Sequence, residues 1–121
     1  MPLLQGYSPV QVTLGALNNL GEILHGRGEP GEALGYHRSA LELARDCGQR
    51  EAQAWALSGV ALALAATGDR AGAREHWQQA LALYEALHLP KAGEMRAHLA
   101  ILDAALDAAR DAAADPGVAS G

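Results

Sequence analysis

Phenylalanine is absent from these 121 residues, and valine, isoleucine and threonine together number only eight. Strands need β-branched and aromatic side chains to fill a pleated surface, so a β-rich or parallel α/β fold is nearly excluded. Cysteine occurs once, as Cys47, which permits no intrachain disulfide and no thiolate metal site. A lone cysteine on a helix usually acts as a small apolar residue, and it fits a reducing compartment. No run approaches the roughly 18 apolar residues of a membrane span. The opening MPLLQGYSPV has neither a basic n-region nor an apolar h-region, so no signal peptide is expected. Basic residues are scarce as well: nine Lys and Arg stand against fourteen Asp and Glu, for a net charge of −5. They are spread from Arg27 to Arg110 without a cluster, so direct nucleic-acid binding, which rests on phosphate neutralisation, is not expected. These absences point to a soluble, cytoplasmic protein with no membrane contact.

What is present in quantity is alanine, 27 residues, and leucine, 19. Both favour helix, so the expected fold class is all-α. Its core should be thin and close-packed, because alanine lets helices approach but buries little area.

Shifted by 40 residues, the sequence aligns with itself. Leu17, Leu20, Leu24, Gly28, Glu29 and Ala33 fall on Leu57, Val60, Leu64, Gly68, Asp69 and Ala73. His37, Ala40, Leu41 and Leu43 fall on Trp77, Ala80, Leu81 and Leu83. Spacings of three and four within each block are helical, and each block breaks at a glycine followed by an acid. The glycine accepts the left-handed conformation that ends one helix, and the acid favours the start of the next. Five helices are predicted. The first runs from Pro9 to Arg27, opened by a capping box of Ser8 and Gln11 with proline at the first helical position. The others run from Pro30 to Cys47, Arg50 to Thr67, Arg70 to His88, and Pro90 to Ala114. The domain reading is an N-terminal arm over residues 1–8, repeats over 9–48 and 49–88, a C-terminal helix over 89–114, and a tail over 115–121.

This pattern resembles the tetratricopeptide repeat family. The second repeat carries its signature in Leu57, Val60-Ala61, Leu64, Gly68-Asp69, Ala73, Trp77 and Ala80. The first carries it in Leu17, Leu20-Gly21, Leu24, Gly28-Glu29, Ala33, His37 and Ala40. His37 departs from the usual aromatic and predicts looser packing there. The period, and the segments ARDCGQREAQAWAL and YEALHLPKAGEMRAHL, look like the long-period arrays of large actinobacterial transcriptional regulators. This sequence has no Walker motif and no helix-turn-helix signal of its own. The resemblance implies a curved α-solenoid of two repeats plus a terminal capping helix, close helix contacts at Gly21, Ala33, Ala40, Ala61, Ala73 and Ala80, and first helices lining a concave groove. It implies a non-catalytic module that binds a protein or peptide.

Carried over residue by residue, the groove positions are Gly15, Asn18, Glu22 and His25 on the first helix, Trp55, Ser58, Leu62 and Ala65 on the third, and Met95, His98, Leu102 and Ala105 on the fifth. The set is polar at one end and apolar at the other, which suits an amphipathic helix or an extended peptide with an apolar anchor. Trp55 is the best single candidate, because exposed aromatics dominate interaction hot spots. The competing reading is that Trp55 only packs between the first and fifth helices. The family's carboxylate-binding clamp falls here on Asn18, Glu22, Gly59, Met95 and Leu99, none of them basic, so that clamp is not expected.

The histidines His25, His37, His76, His88 and His98 show no i, i+4 pair and no metalloprotease signature, so neither a metal site nor a cofactor is expected. His37 reads as a core residue in place of an aromatic, and Tyr36 and Tyr84 as packing residues. No nucleophile–base pair and no phosphate loop can be drawn, so no catalytic residue is assigned.

On the fifth helix, Leu99-Ala100-Ile101-Leu102 is apolar over four consecutive residues. Leu99, Ile101, Leu102 and Leu106 cannot all face one neighbour, which predicts an exposed apolar patch that a second copy, a further repeat or a partner would cover. A homodimer through this helix is the favoured form. Asp103, Asp107 and Asp111 form an acidic stripe that reads as a solvated face, or else as a docking face for a basic partner.

Overall fold

The structure, a computed structural model, describes residues 8–114. The tail, and all of the arm but Ser8, lie outside the described residues. Five helices follow one another: α1 (Pro9–Gly26), α2 (Pro30–Asp46), α3 (Arg50–Thr67), α4 (Arg70–Ala86) and α5 (Lys91–Ala114). No strand occurs among the described residues. The capping box forms in both directions. The Gln11 amide donates to Ser8 Oγ, and the Ser8 amide donates to Gln11 Oε1, each at 3.1 Å.

The turns share one construction. Gly28, Gly48 and Gly68 adopt φ of 79°, 67° and 97°, the left-handed region that a side chain makes costly. The next residue's amide then reaches back across the turn. Glu29 donates to Leu24 O, Gln49 to Ala44 O and Asp69 to Leu64 O, at 2.8–2.9 Å. The fourth turn repeats this geometry without a glycine. His88 holds φ 56°, and Leu89 donates to Tyr84 O at 2.9 Å. Left-handed residues thus recur every twenty positions, at 28, 48, 68 and 88, and each 40-residue repeat is two such units. Helix α4 ends at Ala86, short of His88, because His88 has taken the turn position.

Each helix packs on its sequence neighbours, and α1 also reaches α3. The core is alanine-rich, as composition predicts. Ala33, Ala40, Ala54, Ala56, Ala61, Ala63, Ala73 and Ala80 are wholly buried. Around them lie Leu14, Leu57, Val60, Leu64, Trp77, Tyr84, Met95 and Leu102.

His37 is the centre of the first repeat. Its ring lies between Gly21 of α1 and Gly59 of α3, so close that a Cβ on either glycine would overlap ring atoms. Packing here is therefore tight rather than loose: the smaller ring is matched by two glycines, which let α1 and α3 close on it.

The α1 end of the array differs from its middle. Val60 in α3 is 0 % exposed, whereas its counterpart Leu20 in α1 is 42 % exposed, and Ile23 and Val12 are exposed with it. Helix α3 lies between α2 and α4, while α1 has no helix on its other side among the described residues.

Candidate functional site

A cleft of about 240 Å³ opens where α1, α3 and α5 converge. Helix α1 contributes Glu22 and His25, α3 contributes Trp55, Ser58, Gly59 and Leu62, and α5 contributes Lys91, Glu94, Met95 and His98. The α3 and α5 sets share the spacing i, i+3, i+4, i+7, so each is a single helical face. His37 from α2 and Tyr84 from α4, both buried, complete the lining. Trp55 also borders two adjoining hollows, one with Glu51, Leu89 and Pro90, the other with Gln11, Gly15 and Ala52.

Seven of the expected groove residues meet in this cleft: Glu22, His25, Trp55, Ser58, Leu62, Met95 and His98. Two do not. Asn18 is wholly buried, and His37 Nδ1 donates to its Oδ1 at 2.9 Å. A histidine ring in a helical core needs a polar partner, and Asn18 supplies it instead of facing the groove. Leu102 is in the core against the rest of the array. Gly15 borders a neighbouring hollow, and Ala65 and Ala105 are half-buried outside the cleft lining. Sequence reasoning missed Lys91, Glu94 and Gly59 as lining residues. The i, i+3, i+4, i+7 spacing would have found all three. It also missed Tyr84, whose helix is not a first helix.

Two contacts organise the side chains. Trp55 Nε1 donates to Glu22 Oε1 at 2.7 Å, which ties the half-buried indole across from α3 to α1. His98 stacks flat on the buried Trp77, with ring centroids 4.9 Å apart and planes 3° from parallel. That stack holds α5 against α4, helped by an exposed Arg74–Asp103 bridge at 2.7 Å.

Burial pushes the His37 imidazole below its ordinary range, with Glu22 opposing the shift and His25 adding to it. It is therefore neutral near pH 7. With Nδ1 donating to Asn18, its other nitrogen, Nε2, is an acceptor. Burial likewise raises the Tyr84 phenol to about 12, reinforced by the charges of Glu51, Glu94 and Glu22. These three carboxylates make the field at the Tyr84 phenol negative.

On α5 the apolar patch is smaller than expected. Leu102 faces inward and Leu99 and Leu106 are half-buried, leaving Ile101, 70 % exposed, among exposed alanines. No helix among the described residues is long and apolar enough to cross a membrane. No group of three or more His, Cys, Asp or Glu among them is arranged to hold a metal ion.

The family model described as tetratricopeptide repeat matches residues 12–86, the stretch from α1 to the end of α4. Neither a curated protein nor a solved structure matches the chain.

Proposed function

The chain belongs to the tetratricopeptide repeat family, whose repeats are in general non-catalytic protein–protein interaction modules, and from that premise we propose that its cleft binds a peptide or helix of a partner protein. The observation that carries this reading is Trp55. Its indole is half-buried, pinned by Glu22, and borders three hollows. A rigid, pre-oriented aromatic gives contact area at little entropic cost, as interaction hot spots do. Leu62 and Met95 supply an apolar floor beside polar Ser58, Glu94 and His98. The setting is a regulatory, transcription-linked system in the cytoplasm. The long-period likeness of the two linking segments supports the first part, and the single exposed thiol of Cys47 the second.

Selection of random 12-residue peptides on the immobilised protein tests the reading. Selected peptides should lose about tenfold or more in affinity on Trp55→Ala and on Leu62→Glu, the scale of a 1.4 kcal/mol hot-spot contact. Peptides that bind wild type and both variants equally would refute the groove.

Self-association is a second reading, supported by exposed Ile101 on α5 and the exposed Val12, Leu20 and Ile23 on α1. Light scattering separates the two. A dimer that Ile101→Glu converts to a monomer supports self-association through α5, and a monomer at high concentration refutes it.

A further inference from the structure

We infer that the side chain the cleft takes from its partner is a cation, an arginine within a basic peptide segment. This rests on the proposed groove function and specifies the chemistry of its ligand.

The charges are the first argument. Three carboxylates, Glu22, Glu94 and the adjoining Glu51, surround the cleft, and Lys91 is the one lysine or arginine in the lining. Among the described residues none of the three is in an ion pair, although carboxylates elsewhere on the surface are: Asp103 with Arg74 and Glu85 with Arg96. Their combined field reaches the buried Tyr84 phenol and helps to hold it protonated. A cationic group entering there offsets repulsion that the empty cleft retains.

The donor and acceptor inventory is the second. Glu22 already accepts from the Trp55 indole through one oxygen and has a second oxygen open. Glu94 and the Ser58 hydroxyl add further acceptors. Lys91 is the one fixed donor of full charge. A site this rich in acceptors calls for a ligand rich in donors. Guanidinium offers five N–H groups in a planar fork and no acceptor.

Shape agrees. A cleft of about 240 Å³ has room for one long side chain of a partner. The half-buried aromatic ring of Trp55 lines it, and arginine stacks on aromatic faces through both its charge and its plane. Leu62 and Met95 give the methylene stem an apolar wall.

The test follows the Trp55 indole N–H by NMR, assigned by its loss in Trp55→Phe. Four pools of seven-residue peptides, neutral at six positions and blocked at both ends, carry arginine, citrulline, leucine or glutamate at the centre. The arginine pool should move the Trp55 signal with affinity at least tenfold above the citrulline pool, which keeps the shape and loses the charge. Glu22→Gln retains an acceptor for the indole, and with Glu94→Gln it should bring arginine binding down to the citrulline level. Lys91→Gln should strengthen it several-fold, an outcome that a purely structural role for these exposed residues would not give. Equal binding of arginine and citrulline, or preference for glutamate, overturns the inference. If the leucine pool alone moves Trp55, the groove function stands and the cationic anchor falls. If no pool moves it, both fall.

Discussion

Replacing Gly59 with alanine puts a methyl group into the His37 ring, against Nδ1, Cε1 and Cγ rather than against the end of a flexible chain. The ring cannot swing away, because Gly21 closes its other side and Asn18 holds Nδ1. Two effects oppose each other. Alanine gains about 1 kcal/mol over glycine in a helix interior, and overpacking a tight core costs about 1–3 kcal/mol. With the ring trapped between two backbones the cost belongs at the upper end, so the net loss should be about 1–2 kcal/mol. Gly35, inside α2, is the control. Nothing lies within 4 Å of where its Cβ would be, so Gly35→Ala should stabilise by about 0.5–1 kcal/mol. Urea unfolding followed by circular dichroism reads both. At a slope of about 1–1.5 kcal/mol per molar urea, the two midpoints should separate by roughly 1–3 M, on opposite sides of wild type. In a His37→Ala background the slot is vacant, and Gly59→Ala should become stabilising. The coupling energy between the two sites should be about 2–3 kcal/mol, at the upper end for residues in contact. A Gly59→Ala that stabilises the wild-type protein, or one that still destabilises without the His37 ring, would refute the arrangement.

The tryptophans should separate. Trp77→Ala removes a buried ring and the His98 stack and should cost about 3–5 kcal/mol, whereas half-buried Trp55→Ala should cost clearly less; equal losses in thermal or urea unfolding would contradict their placement. For His37, whose folded pKa lies below the ordinary value of 6.5, the unfolded chain binds more protons between the two values. Its contribution to stability is therefore full above pH 6.5 and is lost as pH falls toward the folded pKa; an NMR titration of its ring proton with a midpoint at or above 6.5 would contradict this. His88→Gly should raise stability by about 1 kcal/mol, because a non-glycine residue pays roughly 1–2 kcal/mol for the left-handed region and glycine gives part of that back as unfolded-state entropy; a lower unfolding midpoint would count against the turn.

The helices were legible in the sequence because their signals are local. Ser8 and Gln11 cap, Pro9 and Pro30 open, and Gly28, Gly48 and Gly68 close. The fourth turn was harder to place because His88 carries none of glycine's signature. Its position could be read only from the twenty-residue spacing. The cleft was legible to the extent that side chains follow helix faces, which brought together Trp55, Ser58, Leu62, Met95 and His98. Asn18 sits on the first helix at an expected groove position, yet the ring nitrogen of His37 claims it, and that demand comes from another helix. Leu20 matches the repeat signature as well as Val60 does. It is exposed because the helix that covers Val60 has no equivalent beside α1 among the described residues, a difference of neighbours and not of residue type.

The order of packing has a kinetic consequence. Because helices touch chiefly the helix before and the helix after, with α1 to α3 the main contact reaching further, most native contacts join segments close in sequence. Chains with such local contacts close only short loops before contacts begin to form, and helical proteins of this kind fold within microseconds to milliseconds. Folding can begin wherever two neighbours meet first. Helix α3, flanked by α2 and α4 and carrying eight of the buried residues, is the natural seed, from which order spreads toward both ends.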